Sequence, residues 1–174
     1  SPLNDELGHQ ILPKRTVHYD HLVIAIGSVS NDFNTPGIKE HCFYLDSNQQ
    51  AERFQHALLD NFTSLHQDDD PLHSLNIAIV GGGATGVELS AELYHVSDLL
   101  KIYGLTNMSA KRLHIHLIEA GPRILPALSE RITSSAKREL LRLGVIVREN
   151  TQVKQATEHG FITKGDEQIN ADIM

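Results

Sequence analysis

Gly81-Gly82-Gly83-Ala84-Thr85-Gly86 follows directly on the apolar run Leu75 to Val80 and opens onto a long stretch of helical periodicity. In that setting the spacing Gly81-x-Gly83-x-x-Gly86 reads as a phosphate turn. Gly81 permits the tight turn, Gly83 removes the side chain that would keep a pyrophosphate off the backbone, and Gly86 lets helix and strand pack closely. Ala84 and Thr85 fall where the first free N–H groups and the positive end of the helix dipole attract an anion. A strand-to-helix turn with no ligand is the bland alternative, and the flanking pattern counts against it.

The next apolar run, Leu113 to Ile118, ends at Glu119, with Ala120 after it. A carboxylate there accepts both hydroxyl protons of a ribose and repels a 2′-phosphate, which favours NADH over NADPH. The interval from Gly86 exceeds the usual one of about 20 residues. A long helix and a turn at Gly104-Leu105-Thr106-Asn107 account for the surplus. The alternative for Glu119 is a strand-end carboxylate facing water. Glu88 is expected in the first helical turn, where any carboxylate gains about 0.3–1 kcal/mol from the dipole. Its functional alternative is a place beside the nicotinamide.

Other chemistry finds little support. The sequence holds eleven histidines, and His114-x-His116 would project two imidazoles from one strand face, yet no further ligand is spaced to complete a metal site. Ser134-Ser135 and Ser28-Val29-Ser30 lack the surroundings of a nucleophile elbow. Cys42 is the single cysteine, so neither an internal disulfide nor a C-x-x-C redox pair exists, and it reads as a small core residue. Fifteen basic against twenty-two acidic residues leave a net charge of −7, which provides no broad basic face for nucleic acid. No run approaches the roughly 20 apolar residues that span a bilayer, and the first residues lack a signal-peptide pattern, so the segment reads as soluble.

The elements that must carry these residues follow from periodicity. Leu22-Val23-Ile24-Ala25-Ile26 reads as a strand buried on both faces, stopped by Gly27-Ser28. A loop from Ser30 to Gly37 precedes a short strand at Cys42 to Leu45. Ala51, Phe54, Leu58, Phe62 and Leu65 mark one helical face between Asn48 and about His66. Asp68-Asp69-Asp70-Pro71 reads as a solvated linker and a domain boundary. Leu89, Leu93, Val96 and Leu100 form the inner stripe of the helix after the glycine turn, which Gly104 ends. Ser129 caps a further helix with the face Ile132, Ala136, Leu140 and Leu143, closed by a left-handed Gly144. Val145-Ile146-Val147 resumes strand, Val153 to Ile169 suggests small antiparallel strands, and Ala171 to Met174 looks like the start of another strand. The fold class is therefore α/β, a Rossmann-like βαβ unit with a parallel sheet and a small antiparallel segment.

With Tyr19-Asp20-His21-Leu22-Val23-Ile24-Ala25-Ile26-Gly27-Ser28, Asn31 to Gly37, Ile79 to Leu89 and Arg123-Ile124-Leu125-Pro126 in view, nearly the whole chain resembles a bacterial type II NADH dehydrogenase. The resemblance implies that Ala25, Ile26 and Gly27 form the A/T-x-G turn of an FAD domain. It likewise implies that Gly81, Gly83, Gly86 and Glu119 bind NADH, and that Glu88 is a catalytic residue near nicotinamide and flavin, with a role in positioning or proton handling during quinone reduction. It divides the chain into an FAD-domain segment (1–46), a connecting helix and acidic linker (47–71), and an NADH-binding domain (72–174). The implied whole protein passes electrons from NADH through FAD to a membrane quinone without pumping protons, is peripheral on the cytoplasmic face of the bacterial inner membrane, and is compatible with a homodimer. This chain is then expected to be a fragment that binds NADH and reaches the membrane only through regions outside it. An NADH-sensing module without catalysis, and a flavoenzyme with a soluble electron acceptor, are the rival readings.

Overall fold

Leu75–Val80 and Leu113–Ile118 pair in parallel along their whole length, Leu75 opposite Leu113 and Val80 opposite Ile118. The computed structural model describes residues 3–5, 7–27, 29–68, 70, 72–102 and 110–174. In chain order the elements are β1 (Leu3–Asn4), β2 (Gln10–Leu12), α1 (Ile38–His41), α2 (Asn48–Gln67), β3 (Leu75–Val80) and α3 (Ala84–Ile102). A 3-10 turn (Ala110–Arg112), β4 (Leu113–Ile118), α4 (Glu130–Leu143), β5 (Ile146–Arg148), β6 (Val153–Thr157), β7 (Gly160–Thr163) and β8 (Gln168–Asn170) follow. The parallel sheet has the order β3-β4-β5, and Ile173 adds a parallel bridge to Ile77 on the far side of β3. The antiparallel meander β6-β7-β8 forms a second sheet.

Near-continuous apolar strands are what a sheet covered on both faces requires. Leu75, Ile77, Leu113, Ile115 and Leu117 join Leu93, Tyr94, Leu140 and Val145 in one core. The opposite face presents Ala78 and Ile118 to Ala156, Phe161, Ile169 and Ala171 of the meander and its flanks. The helix α2 contributes Leu58, Phe62 and Leu65 to the first core. Its start is fixed reciprocally: the Ser47 hydroxyl accepts the Gln50 amide at 3.3 Å, and the Gln50 side chain accepts the Asp46 amide at 2.9 Å.

Several expectations need correction. Leu22 to Ile26 forms no strand and lies open, with Val23 85% and Ile26 92% exposed. A strand of a parallel sheet is held by ladder bonds along its edges, and among the described residues none reaches this run. Cys42 to Leu45 is likewise no ladder strand, although the Phe43 amide donates to the Met174 carbonyl at 2.7 Å. The hairpin β1-β2 was not signalled by periodicity; the Asp5 carboxylate accepts the Leu7 and His9 amides inside its turn.

Helix phases also shift. The buried line of α3 is Ser90, Leu93, Tyr94 and Ser97, with Leu89, Val96 and Leu100 only at its margin. Small residues allow close approach, and the Ser90 hydroxyl is satisfied by donating to the Gly86 carbonyl at 2.6 Å. On α4 the expected Ile132 is 51% exposed and its neighbour Thr133 is buried. Thr133 donates its hydroxyl to the Leu125 carbonyl, a tertiary bond that periodicity does not reveal. Gly144 ends α4 as expected, left-handed at φ 106° and donating to Leu140 and Leu141. The acidic stretch after α2 is held rather than merely solvated. Buried Arg112 donates to the carbonyls of His73 at 2.9 Å and Asp70 at 3.0 Å. Asp69, Pro71, Ser28 and the turn expected at Gly104 to Asn107 lie outside the described residues.

Candidate functional site

The carboxyl ends of β3 and β4 meet at the glycine turn, the place where open α/β sheets bind ligands. Gly81 has φ 112°, a left-handed conformation that an L-side chain rarely adopts, and its N–H donates to the Ile118 carbonyl at 2.8 Å. A Cβ on Gly86 would stand 2.1 Å from the Gly81 carbonyl oxygen, so only hydrogen lets α3 start this close to β3. A Cβ on Gly83 would meet nothing within 4 Å. That open side is where a pyrophosphate could approach the backbone, facing the unpaired first amides of α3 at Ala84, Thr85 and Gly86.

Glu119 lies one residue past β4 and is partly buried. Its Oε2 accepts the Gly82 amide at 2.7 Å and its Oε1 accepts the Gly121 amide at 2.6 Å. A carboxylate offers about four acceptor positions, so roughly two remain for ribose hydroxyls. The group is therefore already oriented before any ligand arrives. Gly82, which the turn pattern leaves as an unspecified position, makes this possible: a Cβ there would lie 2.9 Å from both Glu119 Oε2 and Ile124 Cγ2. Its only sequence signal is that it is the middle one of three consecutive glycines.

Behind the turn runs the loop from Gly121 to Leu128. The Leu125 amide donates to the Gly82 carbonyl at 2.6 Å, with Leu125 itself buried at φ 48°. The Ile124 amide donates to Glu149 Oε1 at 3.0 Å, and Glu149 Oε2 is paired with Lys137 of α4. The Asn150 amide donates to the Gly121 carbonyl at 2.8 Å. Neither Lys137 nor Glu149 stands out in the sequence, because each acts through a contact distant along the chain.

The other expected residues lie as follows. Ala84, Thr85, Glu88 and Ala120 are exposed at the turn and its flanks. The first turn of α3 contains no acidic residue, and Glu88 comes after it. Its capping contribution is weaker than the sequence suggests, since the dipole's effect fades beyond the first turn. Ala25, Ile26 and Gly27 are exposed and belong to no helix or strand, with Gly27 left-handed at φ 71° and open space beside it. The structure does not bring them to the glycine turn. A small concavity lined by Lys39, Cys42, Phe43, Tyr44, Gln50 and Arg53 includes no residue of the turn. Burial pushes the Cys42 thiol up to about 11, which keeps it protonated at neutral pH. His116 accepts from Arg148 Nε at 3.2 Å, and burial, then the Arg148 charge, hold its imidazole below the usual histidine range. Among the described residues no group of His, Cys, Asp and Glu is placed to hold a metal ion, and no helix is long and apolar enough to cross a membrane.

The pyridine nucleotide-disulphide oxidoreductase family matches residues 6–174. The chain is 43% identical to a type II NADH:quinone oxidoreductase of Haemophilus influenzae, over all of this chain and 42% of that protein. It is 37% identical to the mitochondrial external alternative NAD(P)H-ubiquinone oxidoreductase B1 of Solanum tuberosum, over 91% of this chain and 28% of the relative. The chain thus spans less than half the length of these relatives. The structure of NDH2 from Plasmodium falciparum in complex with NADH superposes with a TM-score of 0.74 at 23% identity, covering 98% of this chain and 36% of that one. That likeness speaks for the fold.

Proposed function

Because the chain belongs to the pyridine nucleotide-disulphide oxidoreductase family, we propose that it is the NADH-binding portion of a flavoprotein that passes electrons from NADH through FAD to a membrane quinone. The observation that carries this reading is the pre-oriented Glu119 carboxylate set across an open glycine turn at the carboxyl ends of two parallel strands. The turn amides receive the pyrophosphate, Glu119 accepts from the adenosine ribose, and Ala120 leaves the approach unobstructed. Negative charge at Glu119 disfavours a 2′-phosphate. Glu88, exposed beyond the first turn of α3, is assigned to the nicotinamide side as the catalytic residue, with a role in positioning or proton handling.

FAD, when bound, supplies the two-electron acceptor. Of the residues for it, this chain offers Ala25, Ile26 and Gly27. Gly27, with left-handed φ and no neighbour, suits a close backbone approach, but three exposed residues do not make a flavin site. Residues 1–46 are accordingly read as one edge of an FAD-binding domain, 47–71 as a helix and linker, and 72–174 as the NADH domain. Quinone reduction, a peripheral place on the cytoplasmic face of the inner membrane and the absence of proton pumping belong to the same proposal for the full-length protein. The quinone part of it is supported by the quinone and ubiquinone in the relatives' names. The test is NADH oxidation by membranes containing the full-length protein. Quinone-dependent turnover is expected; failure to reduce any quinone would sink the reading.

A further inference from the structure

Resting on the reading of the glycine turn as an NADH site, we infer that Glu149 is a positioning residue that sets the geometry of both the ribose acid and the pyrophosphate turn. Its side chain, 13% exposed, adds a second link between α4 and the loop, beside the bond from the Thr133 hydroxyl to the Leu125 carbonyl. One oxygen accepts the Ile124 amide at 3.0 Å, and the other pairs with Lys137 on α4. Ile124 is fully buried and packs against Gly82, where a Cβ would approach its Cγ2 to 2.9 Å. The next residue, Leu125, holds a left-handed φ of 48°, a conformation that costs free energy in an L-residue and persists only where its surroundings hold it.

What that conformation achieves is the 2.6 Å bond from the Leu125 amide to the Gly82 carbonyl. The Gly82 carbonyl and the Gly83 N–H belong to one planar trans peptide, so fixing the oxygen aims the N–H the opposite way. Gly83 is the position whose outer side is open. On the other flank, Asn150, adjacent to Glu149, ties the Gly121 carbonyl at 2.8 Å. Gly82 and Gly121 are the two residues whose amides grip Glu119. One carboxylate thus braces the segment from which the ribose acid and a phosphate-facing amide both take their direction.

The test is parallel titration of the unsubstituted protein, Glu149→Ala and Glu149→Gln with NADH and NADPH, together with thermal midpoints. Glu149→Ala leaves the Ile124 amide without its acceptor and is expected to weaken NADH binding about tenfold, NADPH less, so that the preference between them narrows. Glu149→Gln removes the same charge but still accepts from Ile124, and is expected to return the preference to within about threefold of the original. An unchanged preference in Glu149→Ala overturns the inference, as does equal weakening for both nucleotides alongside a lowered midpoint, which marks a purely structural residue. Failure of Glu149→Gln to rescue overturns it too. An unsubstituted protein that binds neither nucleotide overturns the NADH reading and this inference together, an outcome distinct from the others.

Discussion

Gly83 and Gly86 stand three residues apart in one turn, yet the structure gives them opposite consequences when a side chain is added. At Gly86 the new Cβ would lie 2.1 Å from the Gly81 carbonyl oxygen and 3.3 Å from a Leu117 methyl. The first neighbour is backbone at the end of a buried strand and cannot swing away, so α3 must lift from β3. Overpacking of this kind costs about 1–3 kcal/mol. For a chain of this size each kcal/mol lowers the melting temperature by roughly 2–4 °C, so Gly86→Ala is expected to melt roughly 2–12 °C early. At Gly83 no atom lies within 4 Å of the new Cβ, and Gly83→Val should leave far-UV circular dichroism and the melting temperature near those of the unsubstituted protein. Its side chain, however, fills the space that a pyrophosphate needs, and NADH binding should be lost. Circular dichroism melts and NADH titration on both variants decide the matter. Retained binding by Gly83→Val, or an unshifted melt for Gly86→Ala, would refute the reasoning.

Glu119→Gln should keep an acceptor for the ribose while removing the charge that repels a 2′-phosphate, so the preference for NADH over NADPH should shrink; equal affinities already in the unsubstituted protein would take Glu119 out of this role. His116 is held below its usual value of 6.5, so the unfolded chain binds its proton first on acidification. The stability contributed by neutral His116 is present above pH 6.5 and is lost as pH falls through the lowered folded value. Melting temperatures measured across that range should decline toward acid, and His116→Gln should flatten the decline; an equal slope in the variant would assign it to other groups.

Much of the nucleotide unit was legible because its signals are local. An apolar run, three spaced glycines and a strand-end carboxylate lie within short windows, and their meaning depends only on near neighbours. Leu22 to Ile26 misleads for the converse reason: its composition suits a central strand, but strandedness requires partners along both edges. Ile132 and Thr133 exchange places because one threonine bond to Leu125 rotates the face by a residue. The bracing by Glu149 and Lys137 was invisible, since it joins the end of β5 to a loop and a helix that share no periodicity. Gly82 belongs between these cases: visible as a glycine, uninterpretable until Glu119 and Ile124 are seen against it.

The open run Val23-Ile24-Ala25-Ile26 carries a consequence for handling this chain by itself. Exposed apolar β-formers with unpaired backbone groups are a template for other chains, and Pro is absent from the run itself. The folded core around β3 and β4 does nothing to shield it. For this chain taken by itself, association through the run is therefore expected to grow with concentration whether or not that core unfolds.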